Sequence, residues 1–97
     1  MVDWLVTYDV NTTTKDGQRR LRRVAKACEA FGQRVQYSVF EVSVNAAQGE
    51  RLKTRLLGII HPGEDSLRFY LLRGRREASV EAYGIDLYRD FREPLVL

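Results

Sequence analysis

Val2, Trp4, Val6 and Tyr8 alternate with Asp3, Leu5, Thr7 and Asp9, the two-residue period of a strand buried on one face. Asp9 closes this strand, and after Val10 comes the polar stretch Asn11-Thr12-Thr13-Thr14. From there the period changes. Leu21, Val24, Ala25, Cys28 and Phe31 recur at steps of three and four, which predicts an amphipathic helix over 15–31. Thr14 or Asp16 suits its start and Gly32 its end. Residues 33–44 are rich in β-branched and aromatic types with no helical period. That run is long for one strand, so a bend at 36–38 is expected to divide it into two short antiparallel strands.

Asn45 opens a second helix with Gln48 at the capping-box position, and Leu52, Leu56, Ile59 and Ile60 form its apolar stripe before His61-Pro62-Gly63 stops it. Residues 65–73 read as a further strand with Leu67, Phe69 and Leu71 on one face, ended by Gly74. Ser79–Gly84 is expected to add a short strand. Pro94-Leu95-Val96-Leu97 is an apolar tail suited to a sheet edge, its own or a neighbour's. The order β-α-ββ-α-β is that of an α+β ferredoxin-like plait, an antiparallel sheet with both helices on one side. A chain of 97 residues makes a single domain. Residues 1–78 supply the core plait and 79–97 the C-terminal strand and tail. Its core is modest, so support from a partner subunit is expected.

The lone Cys28 has no disulfide partner in the chain, and neither a signal peptide nor a membrane-length apolar run is present. The expectation is a cytoplasmic protein without a membrane partner. Cys28 lies in the apolar stripe of the first helix and is read as packing, and His61 as a loop residue, with no second ligand at zinc spacing. There is no Gly-rich phosphate loop, no Ser–His pairing and no cysteine nucleophile with an obvious base. The aromatics Trp4, Tyr8 and Phe40 could stack on bases, although no segment matches the pattern of RNA-recognition sheets.

Charge adds a second theme. The net charge is only +3, but of sixteen basic residues thirteen are arginine, the side chain shaped to grip phosphate through paired donors. Lys15, Arg19, Arg20, Arg22, Arg23 and Lys26 crowd one helix, and Arg73, Arg75 and Arg76 form a second knot. Either this is a solvated face, or it is a surface that holds a nucleic-acid backbone without reading bases. Asp9 likewise has two readings: a local hydrogen-bonding residue at a loop start, or a ligand for a hard cation. Mg²⁺ takes one or two carboxylates, and no second acidic residue follows Asp9 closely. A two-fold dimer would bring Asp9 of both subunits to one ion.

Tyr8-Asp9-Val10, the Arg-rich helix and Gly32-Gln33-Arg34-Val35-Gln36-Tyr37-Ser38-Val39-Phe40-Glu41 together resemble the Cas-two family of small CRISPR-associated proteins. Asp65-Ser66-Leu67-Arg68-Phe69-Tyr70 and Val80–Gly84 extend the resemblance over almost the whole chain. It implies a ferredoxin-like homodimer whose C-terminal strand crosses onto the partner's sheet. It further implies an endonuclease dependent on Mg²⁺ or Mn²⁺ that acts on RNA or double-stranded DNA, with one ion shared by the two Asp9 residues. Tyr8, Arg19, Arg34, Ser38 and Phe40 match positions around that site, Arg34 also serving the nucleic-acid surface. In spacer acquisition the family bridges dimers of the integrase Cas-one. A toxin-type ribonuclease of the same fold and a non-catalytic nucleic-acid-binding scaffold are the alternatives.

Overall fold

A computed structural model describes residues 1–89. The elements are β1 (Val2–Asp9), α1 (Lys15–Glu29), β2 (Gly32–Gln36), β3 (Val39–Val44), α2 (Ala46–Leu57), β4 (Ser66–Leu72) and the single turn α3 (Arg76–Ser79). The sheet has the order β2-β3-β1-β4 and is antiparallel throughout. β1 is therefore interior, with Val6 opposite Phe40 of β3 and Phe69 of β4. The alternation in β1 explains its place: Val6 and Tyr8 lie buried in the core while Asp9 is exposed. The bend expected at 36–38 is the Tyr37-Ser38 turn between β2 and β3.

Both long helices pack on the face that carries Val6, Tyr8, Phe40, Val42 and Val44. α1 contributes Val24, Ala27 and Cys28, and α2 contributes Leu52 and Leu56, all fully enclosed. The Thr14 side chain caps α1 by accepting from the Gly17 N–H at 3.1 Å. The capping box of α2 is complete, with Asn45 Oδ1 accepting from Gln48 N–H and Gln48 Oε1 from Asn45 N–H. α2 ends at Leu57, earlier than the apolar stripe suggested, because Gly58 interrupts it. Ile59 still reaches the core from the following turn, its N–H bonded to the Leu56 carbonyl at 3.0 Å.

The short strand expected at Ser79–Gly84 does not form. Ser79 Oγ donates to the Arg73 carbonyl at 2.8 Å and closes the turn of α3. Residues 80–89 then run without sheet pairing, leaving Tyr83 and Ile85 exposed. They cross near the open face of the sheet, where Arg76 and Gln33 hold them. Arg76 makes a bidentate pair with Glu41 of β3 (2.6 and 3.1 Å) and lies 3.2 Å from the Tyr88 ring centre. The Gln33 side-chain amide pairs with both backbone polar groups of Arg89. The apolar tail at 94–97 lies outside the described residues.

Candidate metal and nucleic-acid site

Asp9 is the last residue of β1 and lies opposite Ser66, the first of β4. Adjacent strand residues face opposite ways, so Asp9 shares the helix-free face with Thr7 and Leu5, and with Ser66, Arg68 and Tyr70 of β4. Neither a hydrogen bond nor an ion pair engages its carboxylate among the described residues. The backbone around it is pinned. Tyr8 N–H donates to the Ser38 carbonyl at 3.1 Å, and Asn11 N–H donates to Asp65 Oδ1 at 3.1 Å. A free carboxylate on a fixed strand end suits a hard cation that keeps most of its waters. No group of three or more His, Cys, Asp or Glu gathers among the described residues, so no complete set of such ligands forms around Asp9 within them.

The residues expected around Asp9 separate between the two faces. Tyr8 and Phe40 are core residues under the helices, their rings stacked with centres 6.2 Å apart. Arg34, directly opposite Phe40 in the β2–β3 ladder, lays its guanidinium 5.2 Å from that ring. Burial raises the Tyr8 phenol above its ordinary range, and the nearby Arg34 offsets only part of this. Among the described residues no donor or acceptor reaches the Tyr8 hydroxyl in full hydrogen-bonding geometry. Cys28, also in this core, is pushed up to about 12 by burial and is no nucleophile. Ser38 stands in the β2–β3 turn beside the end of β1, and of the expected set it is the residue nearest in register to Asp9.

The arginines separate as well. Arg19, Arg22, Arg23 and Lys26 are exposed along α1. Arg55 of α2, absent from the expected set, joins Arg23 and Lys26 at the rim of a shallow groove between the helices. Arg20 is withdrawn from the expected surface. Its Nε donates to Asp65 Oδ2 at 2.9 Å and its Nη2 reaches Glu64 at 3.3 Å, with 13% of the side chain exposed. Arg76 is likewise engaged by Glu41 rather than free, while Arg73 and Arg75 are exposed, Arg75 with a loose surface pair to Glu77 at 3.7 Å. The physical reason is the same in both cases: a carboxylate shielded from water needs charged partners, and the planar guanidinium offers it two N–H donors.

Two residues that the sequence reading passed over matter to this geometry. Arg68 shares the face of Asp9 one register step away and donates to the Tyr70 hydroxyl at 2.8 Å. The alternation of Ser66, Arg68 and Tyr70 against Leu67 and Phe69 was the available signal. The other is Gly17, buried in the first turn of α1 against the Asn11 carbonyl, where a Cβ would overlap that backbone oxygen. Gly17→Ala is expected to push the 11–14 loop outward and cost about 1–3 kcal/mol, read as a shift in the urea midpoint.

Asp65 carries the most hydrogen bonds in this region. Burial raises its carboxyl, but bonds from Arg20 and from the His61 and Asn11 backbone N–H groups outweigh that and hold it below the usual range. The side chain is shielded from water by these partners themselves, a thin cover rather than a deep core. A carboxyl depressed in the folded state contributes stability above its unfolded value, near 3.9. That contribution disappears as pH falls through the folded value. The stability advantage of the natural chain over Asp65→Asn is therefore expected to be full at pH 6 and to shrink below about pH 4, read from urea midpoints across that range.

Together, a ferredoxin-like plait, an unpaired strand-end carboxylate on its open face and an arginine-rich helix define a class of small, basic α+β domains. Residues 1–80 match the family profile described as CRISPR associated protein Cas2. The chain is 56% identical over 93 residues to CRISPR-associated endoribonuclease Cas2 1 of Moorella thermoacetica, covering 96% of this chain and 97% of that one. It is 46% identical over 92 residues to CRISPR-associated endonuclease Cas2 of Halalkalibacterium halodurans, covering 95% and 96%. The crystal structure of Streptococcus pyogenes Cas2 superposes with a TM-score of 0.77 at 54% identity, covering 84% of this chain and 99% of that one. A chain of a partial Cas6-RT-Cas1–Cas2 complex aligns with a TM-score of 0.68 at 25% identity, covering 100% and 98%. The chain belongs to the Cas2 family, the Cas-two proteins that its sequence resembles. No helix among the described residues is long and apolar enough to cross a membrane.

Proposed function

We propose that this chain acts at the spacer-acquisition stage of CRISPR defence as a homodimeric, metal-dependent phosphodiesterase and as the bridging partner of Cas1. The observation that carries the catalytic half is Asp9, a carboxylate fixed at a strand end with no cationic side chain paired to it among the described residues. Relatives named as endoribonucleases and an endonuclease support phosphodiester cleavage, with RNA as the substrate that the first of those names carries. The solved complex that contains Cas1 and Cas2 supports Cas1 as the partner.

In this reading the Asp9 carboxylates of the two subunits would together hold one shared Mg²⁺ or Mn²⁺. A bound ion there supplies neutralisation of the charge that builds on a phosphodiester under attack. Arg68, on the same face, reaches the non-bridging oxygens, and Ser38 borders the site from the turn. Arg19, Arg22, Arg23, Lys26, Arg73 and Arg75 grip the backbone without reading bases, so affinity falls steeply with salt. Tyr8 and Phe40 pack the core on the other face of the sheet, and Arg34 lies against the Phe40 ring.

The test is cleavage of end-labelled single-stranded RNA and of duplex DNA by the full chain, with EDTA and then with excess Mg²⁺ or Mn²⁺. Loss of cleavage on chelation and its return with metal are expected. Cleavage that survives chelation would sink the metal reading. Absence of cleavage under every metal, together with retained Cas1 binding, would favour the scaffold alternative.

A further inference from the structure

The Asp65 carboxylate ties together three segments that are far apart in the chain. Oδ1 accepts from the Asn11 N–H at 3.1 Å and from Arg20 Nη2 at 3.3 Å. Oδ2 accepts from Arg20 Nε at 2.9 Å and from the His61 N–H at 2.8 Å. The side chain has no exposed surface. Asn11 is the first residue of the β1–α1 loop after Val10, Arg20 belongs to α1, and His61 opens the turn that leads into β4. Asp65 itself immediately precedes Ser66, the cross-strand partner of Asp9. The knot thus clamps the exit of β1 to the entry of β4, two residues beyond Asp9 on one strand and one residue before its partner on the other.

The loop side of the clamp is reinforced locally. Asn11 Oδ1 accepts from Thr13 N–H and Thr13 Oγ1 at 3.0 and 2.7 Å, and Thr14 then caps α1. Thus the backbone on both sides of Asp9 is fixed while its own carboxylate is left unengaged. Packing needs much less than this. The nearest core side chains, Tyr8 and Val10, are already buried under the helices. A site for a small hard cation does need it, because Mg²⁺ tolerates little departure from its preferred geometry and a loose ligand forfeits affinity.

We infer that Asp65, locked by Arg20, is a positioning residue for the Asp9 carboxylate. The inference rests on the reading of Asp9 as a metal ligand. It assigns Arg20 a role different from phosphate binding, and it places Asp65 in the site without contact to substrate.

The test is Mn²⁺ binding to the full-length chain, followed by electron paramagnetic resonance at a temperature where circular dichroism shows every variant fully folded. Amide exchange at Val10 and Asn11 is measured alongside. Asp65→Asn is expected to weaken Mn²⁺ roughly tenfold, the lower end of what loss of a supporting partner costs, and to speed exchange at Asn11. Arg20→Lys keeps the charge but not the fork and is the second variant should Asp65→Asn fail to fold. It is expected to weaken Mn²⁺ in the same direction. Asp9→Asn is the reference and is expected to abolish binding. If Asp9→Asn abolishes Mn²⁺ binding and the folded Asp65 or Arg20 variant binds as the natural chain does, the positioning role is wrong and the Asp9 reading stands. If Asp9→Asn leaves Mn²⁺ binding unchanged, the Asp9 reading fails and the positioning role falls with it.

Discussion

Asp9→Asn is expected to reduce metal-dependent cleavage by at least about a hundredfold while leaving the unfolding midpoint within about 2–4 °C of the natural chain. The catalytic part follows from charge. An amide of the same shape keeps a carbonyl oxygen but loses the negative charge that attracts a hard cation. The stabilisation such an ion gives a phosphoryl transition state is worth several kcal/mol, and about 1.4 kcal/mol is a factor of ten in rate. The stability part follows from surroundings. Asp9 is exposed and takes part in no hydrogen bond or ion pair among the described residues, and such surface substitutions stay within about 0.5 kcal/mol. The same variant distinguishes a shared ion from two separate ones. In dimers carrying Asp9→Asn in one subunit only, a shared ion predicts activity close to that of the doubly substituted dimer. Independent sites predict about half. Full cleavage by the doubly substituted, folded protein would show that the phosphodiester is broken elsewhere or by a contaminant.

The parts of this structure that were legible in the sequence are those set by near neighbours in the chain. The alternation in β1, the Asn45–Gln48 capping box and the Tyr37-Ser38 turn each depend on residues within a few positions, and each appears where the pattern places it. The faces of the strands were legible too, with a consequence for the site. Tyr8 and Asp9 are consecutive in a strand and so stand on opposite sides of the sheet, which takes Tyr8 and Phe40 into the core. Contacts made at long range were not legible. Arg20 and Asp65 lie 45 positions apart and Arg76 and Glu41 lie 35 apart. In a one-dimensional tally both arginines count with their exposed neighbours. Only the fold shows that two members of the basic clusters are consumed by carboxylates. The strand expected near Val80 fails for a related reason: its composition is suitable, but a strand needs a ladder partner, and residues 80–84 pair with none among the described residues.

Phe40→Ala is expected to be among the most destabilising truncations of the described core, costing about 3–5 kcal/mol. Phe40 is completely enclosed at the middle of the helix-covered face. It stands opposite Val6 and Arg34 in the ladders on either side and stacks on Tyr8. Truncation leaves a cavity that those neighbours can fill only by moving the centre of the sheet. Small domains have only about 5–15 kcal/mol in total, and each kcal/mol is worth about 4–8 °C at this size. The thermal midpoint should therefore fall by about 15 °C or more, and cleavage should fall with the folded fraction. Phe40→Leu separates packing from chemistry. It keeps an apolar side chain of similar reach, at a cost smaller than truncation to alanine. Because the Phe40 ring lies on the face opposite Asp9, cleavage per folded molecule is expected to stay within about twofold of the natural chain, measured well below the midpoint. A folded Phe40→Leu protein that had lost cleavage would mean that the ring reaches the substrate, and that the two faces of the sheet work as one site.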